Sequence, residues 1–223
     1  MARDVIVERL GRLDTCTVSD ALEKLGLGGA TLGIRPQWPC GRIAGRAVTM
    51  KLKPQGAETP KRHLGTEAIE AADPGDVIVA ELSGRTDVPA WGGLLSLAAA
   101  TKGIAGIVID GACRDIDDSR AAGFPVFARA VVPITARGRI VQDSVNAEIE
   151  FAGVKVHPGD YVVADGSGTV IVPQERAAEV VAAGEAISAR EEEMAAAVRA
   201  GRSIVEIMEG GGYESMLKPG KGD

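Results

Sequence analysis

The chain has 223 residues, 45 per cent of them apolar, with 31 acidic against 25 basic side chains and a formal net charge of −6. That length suits one domain with a sizeable core and a helical appendage, and the apolar fraction excludes a disordered chain. A sequence pI of about 5.1 leaves no basic footprint for a phosphate backbone, which excludes general nucleic-acid binding.

The N-terminal stretch MARDVIVERLGRLD is charged and has no signal-peptide core, and no apolar run is long enough to span a bilayer. Cys16, Cys40 and Cys113 share no C-x-x-C spacing, which fits a reducing compartment. The expectation is a cytoplasmic protein that binds neither membrane nor nucleic acid. Aromatics are 3 per cent, so Val, Ile, Leu and Ala must build the core.

In chain order, residues 4–13 and 17–25 predict short amphipathic helices, the second with a Thr17/Asp20 capping box and Gly26 as its stop. Residues 26–42 predict a loop and 44–52 a strand. PGDVIVAELSG at 74–84 recurs as PGDYVVADGSG at 158–168, two turns each leading into a buried strand, which suggests related β-units in one domain. Between the copies come a helix over 91–103, a strand over 106–110, a turn at Asp110–Gly111, a helix over 115–122 and a strand over 124–130. A hairpin-rich stretch follows, and Pro173 introduces one long helix over 174–200. The class is mixed α/β.

The segment from Gly92 to Asp115 carries the chemistry. Free amides at the start of its helix, from Gly92 through Gly93 and Leu94 to Leu95, can hold an anion, and glycines permit close approach. The following strand delivers Arg114 and Asp115 to the surface. If helix start and strand end share one edge, an anion clamp meets a metal ligand, which is what a small 2-oxo acid requires.

GIAGIVIDGACRD at 103–115, with the upstream LDTCTVSDALEKLG, the two PGD turns and the C-terminal helix, resembles the RraA-like family over nearly the whole chain. That family includes 4-hydroxy-4-methyl-2-oxoglutarate/4-carboxy-4-hydroxy-2-oxoadipate aldolases, which also decarboxylate oxaloacetate, and regulators of ribonuclease E. The resemblance implies one domain over 1–223 with a swivelling β/β/α fold: N-terminal helices within 1–30, a core over 40–172 and a C-terminal helix over 173–210. It implies trimers or hexamers with sites between subunits. It further implies that Asp115 ligates Mg²⁺ or Mn²⁺, that Arg114 bonds the carbonyl or enolate oxygen of a 2-oxo acid substrate, and that the backbone of Gly92, Gly93, Leu94 and Leu95 holds its carboxylate. In active aldolases of the family an acid stands twenty-one residues before the arginine, where this chain has Gly93. Binding with slow turnover, improved by Gly93→Asp, is the expectation, and a glutamate within 191–193 of a neighbouring subunit is a possible substitute.

Simpler roles are open to several residues. Asp-x-x-Asp spacing lets Asp115 cap the helix that follows it, and beside Arg114 in the full motif the ligand role is preferred. Asp110 reads as a turn former, Lys102 as a cation at a helix end, and Glu191, Glu192 and Glu193 as a solvated face. His63 and His157 have no spaced partner. Cys113 lies next to the arginine without a paired base. A non-catalytic regulator is the competing function. A methyltransferase is rejected because no Gly-rich strand-to-helix loop with a downstream acid is present.

Overall fold

The computed structural model describes residues 4–57 and 62–209, so the outer limits expected for the domain, 1 and 210–223, lie outside the described residues. Helices α1 (Val5–Leu10) and α2 (Thr15–Lys24) open the chain, followed by β1 (Ala30–Thr31), β2 (Arg35–Pro36) and β3 (Ile43–Pro54). Then α3 (Thr66–Ala71), β4 (Val77–Pro89), α4 (Gly93–Lys102), β5 (Gly106–Cys113), α5 (Ile116–Ala121) and β6 (Val126–Ala128) alternate. Strands β7 (Ala130–Val131), β8 (Ile140–Val145), β9 (Ile149–Phe151), β10 (Val154–Val156), β11 (Tyr161–Asp165) and β12 (Gly168–Val172) lead to α6 (Ala177–Arg199) and α7 (Ile204–Glu209).

Strands β3, β4, β5 and β6 run parallel and adjacent, each joined to the next by one of α3, α4 and α5. Their alternating side chains feed two cores. Met50, Ile78, Ala80, Ile107 and Ile109 meet the three helices, whereas Ala47, Val77, Val79 and Val108 meet the β9–β10 hairpin and β11–β12. All eight residues of β5 are buried, as expected for a parallel strand covered on both faces. A third core joins α1, α2 and α6 to the outer side of β11 and β12 through Leu13, Val18, Leu22, Val163, Val172 and Val181. Together these layers give the expected mixed α/β architecture with N-terminal helices and a long C-terminal helix.

The two PGD turns dock on one stretch of β3. Asp76 Oδ2 accepts from Asp73 N, and Asp160 Oδ2 from His157 N, each at 2.8 Å, so both aspartates close their turn in the same way. Ala47 N donates to Asp160 O at 2.7 Å, and a Cβ on Gly45 would lie 2.3 Å from Gly75 O. The strands that follow flank β3, β4 parallel to it and β11 antiparallel. The internal echo thus has a structural meaning.

Several boundaries differ from the sequence reading. Helix α2 starts at Thr15, because Asp14 is its cap and accepts from Thr17 N at 2.9 Å; the Thr17/Asp20 box does not form. Gly26 does stop the helix: at φ 70 it lets Leu27 N reach Leu22 O at 2.8 Å. The supposed loop over 26–42 contributes the short strands β1 and β2, paired with β12 and β6, so the sheet begins at residue 30. No turn occurs at Asp110–Gly111, where β5 runs straight through. Gly111 is needed for close packing, since a Cβ there would lie 2.6 Å from Leu82. Buried Asp110 pairs with Arg129 and accepts from Ala152 N, holding the β9–β10 hairpin.

Acidic side chains are pressed together where α2 meets α6. Burial pushes the Asp20 carboxyl up, helped by the charges of Glu23 and Asp14. Burial also pushes Glu191 up, with Asp14 and Asp20 adding to it. A raised folded value means that the folded state holds these protons more tightly than the unfolded chain. The stability contribution is therefore complete below the unfolded values, 3.8 and 4.5, and is lost as pH rises through the folded ones. An Asp20→Asn/Glu191→Gln variant is expected to melt higher than wild type at pH 7, and thermal denaturation at falling pH should show that advantage vanish as both carboxyls protonate.

Candidate active site at the ends of two parallel strands

The carboxyl ends of β4 and β5 lie side by side, the usual place for a site in a parallel sheet. Beyond Glu81 the β4 register shifts twice, with Ser83 (φ 53) and Gly84 (φ 71) in the left-handed region, so the strand bulges before it rejoins β5. It rejoins through Ala90 N to Ala112 O at 2.8 Å and Arg114 N to Trp91 O at 3.0 Å. These two bonds set the start of α4 level with Arg114 and Asp115. Helix start and strand end therefore do share an edge.

Two carboxylates lie against two consecutive glycines at this edge. A Cβ on Gly92 would be 2.9 Å from Asp115 Oδ2, and a Cβ on Gly93 would be 2.6 Å from Asp118 Cβ and 2.7 Å from its Oδ2. The Gly-Gly pair thus serves less to shape the helix than to admit two acids to its first turn. Asp115 Oδ2 accepts from Gly93 N at 3.2 Å, where a helix N-terminus favours negative charge. Its backbone is left-handed (φ 54, ψ 47), a conformation that costs roughly 1–2 kcal/mol for an L-residue. Although Asp115 occupies the N-cap position of α5, its side chain caps no α5 amide. The simple capping role is thereby set aside.

Arg114 Nε donates to Asp115 Oδ1 at 3.0 Å and its Nη1 to Ile134 O at 3.2 Å. Both residues line a cavity of about 1110 Å³, together with Gly92, Gly93, Leu94 and Leu95. All six expected site residues therefore meet in one place. One detail differs from the expected clamp: Asp115 engages the Gly93 amide, which leaves the amides of Leu94 and Leu95, without an acceptor inside the helix, for an incoming carboxylate. Sequence reasoning does not single out Asp118, whose one signal is the three-residue spacing from Asp115, the same spacing that suggests a helix cap.

The remaining candidates have other duties. Cys113 is fully buried and does not line the cavity; burial pushes its thiol up to about 12, so no thiolate forms. Lys102 donates to the carbonyls of Ile69 and Glu70, closing the end of α3. His157 pairs with Glu148, whereas His63 stands on the cavity wall. Glu193 pairs with Arg190, and Glu191 faces the acids of α2 in its own subunit.

The family model described as "RraA-like: Aldolase/RraA" matches residues 15–171. The chain belongs to the RraA-like family. Protein DlpA of Legionella pneumophila is 29% identical over 209 residues, which cover 94% of this chain, yet the match spans only 34% of DlpA. A Halalkalibacterium halodurans protein named "Putative 4-hydroxy-4-methyl-2-oxoglutarate aldolase" is 34% identical over 162 residues, 73% of each chain. The crystal structure of Streptomyces coelicolor RraAS2, described as an unusual member of the RNase ES inhibitor RraA protein family, aligns with a TM-score of 0.76 at 28% identity. It covers 86% of this RraA-like chain and 96% of its own. The family thus holds relatives named for catalysis and others named for inhibition of a ribonuclease.

Among the described residues no three His, Cys, Asp or Glu side chains converge as a metal cage. Asp115, on the cavity wall, suits a hard cation that takes one or two carboxylates and fills its other positions with water and substrate oxygens, and Asp118 lies against the neighbouring glycine. The placement of Asp118 bears on the Gly93→Asp expectation, because a side chain at 93 would meet the acid already there. Gly93→Ala is expected to cost about 1–3 kcal/mol in denaturant unfolding through this overlap. In an Asp118→Gly background the same change should cost much less, and equal costs in the two backgrounds would show that Asp118 does not occupy that space.

Proposed function

We propose that this chain is a divalent-metal-dependent lyase that cleaves 4-hydroxy-2-oxo acids such as 4-hydroxy-4-methyl-2-oxoglutarate to pyruvate, and that it also decarboxylates oxaloacetate. The observation that carries this reading is the pair of carboxylates, Asp115 and Asp118, set over Gly92 and Gly93 beside Arg114 and a helix N-terminus. The names of relatives such as the Halalkalibacterium halodurans protein support it.

Mg²⁺ or Mn²⁺ held by Asp115 and Asp118 would supply Lewis-acid polarisation of the 2-oxo group. The amides of Leu94 and Leu95 take the substrate carboxylate. Arg114 donates to the 2-oxo oxygen, where charge collects as the C3–C4 bond breaks and its electron pair passes to C3 and that oxygen. In the aldol cleavage the C4 hydroxyl proton leaves through a water oriented by Asp118, and C4 becomes the carbonyl of the second product. In oxaloacetate C4 leaves as CO₂. Protonation at C3 then gives pyruvate in both reactions. Asp118 thus stands where the family's acid at position 93 would project, and slow turnover need not follow from Gly93.

The proposal includes a homo-oligomer, a trimer or hexamer. From Ser188 to Arg199 α6 carries no buried side chain, and Leu94 and Leu97 are 81% and 54% exposed beside the site. A helix end covered only in part and bare leucines are better accounted for by a covering subunit. The competing reading, a non-catalytic binder of a ribonuclease, rests on the likeness to RraAS2.

Pyruvate release from oxaloacetate, followed with Mn²⁺ and with EDTA, tests the lyase reading. Asp115→Ala should abolish it. Arg114→Lys should lose about two to three decades in kcat, because an ammonium lacks the planar fork of donors. Asp118→Asn should lose about two or more decades. Wild type that releases no pyruvate above the protein-free rate, with or without metal, would favour the binder.

A further inference from the structure

Beneath the site lies a chain of buried hydrogen bonds that no step above uses. Trp91 Nε1 donates to Ser96 Oγ at 3.0 Å, Ser96 Oγ meets Ser119 Oγ at 2.8 Å, and Ser119 Oγ donates to Asp115 O at 3.2 Å. Ser96 and Ser119 are fully buried and Trp91 is 2% exposed, so solvent has no access to replace a lost partner. An indole N–H can only donate, so Ser96 must accept from it. The Ser96 proton then has two acceptors, Ser119 Oγ at 2.8 Å and Gly92 O at 3.3 Å. The shorter contact gives a run with one direction, Trp91 to Ser96 to Ser119 to the carbonyl of Asp115. In either hydroxyl orientation every polar atom of the run is satisfied.

The two ends of this run are the two halves of the site. Ser96 lies on α4, whose first turn holds the amides of Leu94 and Leu95, and Trp91 precedes that helix. Ser119 lies on α5, which carries Asp118 and begins at Asp115. Ser119 binds the Asp115 carbonyl twice, through its amide at 3.1 Å and its hydroxyl at 3.2 Å. This is the residue held in a left-handed conformation, which needs fixed neighbours to persist. The main-chain bond from Arg114 N to Trp91 O closes the run into a ring.

We propose that Ser96 and Ser119 are positioning residues: a buried hydroxyl brace that sets the spacing between the anion-binding start of α4 and the carboxylates of Asp115 and Asp118. The consequence for binding rests on the lyase reading, whereas the brace itself does not. It acts through Asp115 and touches no reacting atom. Loss of the Ser96 hydroxyl leaves the buried Trp91 Nε1–H unpaired, and loss of the Ser119 hydroxyl cuts the link between the two helices and one of the two bonds to the Asp115 carbonyl; Asp115 is the exposed, strained member that shifts most readily.

The test uses the full chain with Ser119→Ala, Ser96→Ala and a control. Thr49→Val removes a comparable buried bond, 2.6 Å to Ala147 O, on β3 away from these groups. The first readout is amide exchange at Gly93 in metal-free protein, since that N–H is held by Asp115 Oδ2 from the opposite helix. The serine variants should exchange there at least about tenfold faster, and Thr49→Val with a similar loss in Tm should not. The second readout is Mn²⁺-dependent oxalate affinity by calorimetry, expected to fall about tenfold or more in the serine variants and to stay unchanged in the control.

Serine variants that keep wild-type Gly93 exchange, or that loosen Gly93 yet keep wild-type oxalate affinity, overturn the positioning role. A control that loses affinity as they do overturns it as well. Wild type that binds no oxalate overturns the lyase reading instead, and the exchange experiment still judges the brace. Variants that fail to fold are replaced by Ser119→Cys, whose weaker S–H donor should give an intermediate loss in both readouts, and a full loss or none would count against the brace.

Discussion

A carboxylate can rest against the first turn of a helix only where the backbone there carries no Cβ. That steric condition, met by Gly92 and Gly93 with Asp115 and Asp118 above them, is what the rest of this site depends on. Once the acids are admitted, the free amides and positive end of α4 favour their charge. In the proposed reading a divalent cation would bind there, and the amides of Leu94 and Leu95 would take the second charged group, the substrate carboxylate. Arg114, bonded to Asp115 and to the carbonyl of Ile134, sits between these functions.

The fold supplies this arrangement through its parallel strands. The PGD turns fix both neighbours of β3, the bulges in β4 re-aim its end, and the main-chain bonds to β5 bring Trp91 and Arg114 level. The opposite face of the sheet is anchored by acids too. Asp110 and Glu81 are buried there and accept from Ala152 N and Glu150 N of the hairpin. Each of these two acids also meets a cation, Arg129 at Asp110 and Lys51 at Glu81, so both are committed to packing, whereas Asp115 stands on the cavity wall.

Local chemistry made much of this legible in the sequence. Apolar runs marked β4, β5 and β11, the repeated PGD marked related β-units in one domain, and Gly103 marked the end of α4, where it adopts φ 84. The helix start and the Arg114–Asp115 pair could be named because both follow buried strands. What escaped depends on tertiary contact. Asp110–Gly111 has the composition of a turn, and only its packing against Leu82 and Arg129 keeps it extended. Asp118 looked like part of a capping pattern because nothing in the order of residues shows that it reaches across to Gly93. The serines of the brace are ordinary helix residues until α4 and α5 are placed side by side.

The central claim is that Asp115 and Asp118 together hold the cation at the start of α4. A crystal grown with Mn²⁺ and oxalate, measured by anomalous scattering at the manganese edge, tests it most directly. The account predicts one manganese peak within bonding distance of both carboxylates, at about 2.0–2.2 Å as for small hard cations, with oxalate reaching the amides of Leu94 and Leu95. Manganese bound elsewhere, or bound to Asp115 while Asp118 points away from it, would contradict it.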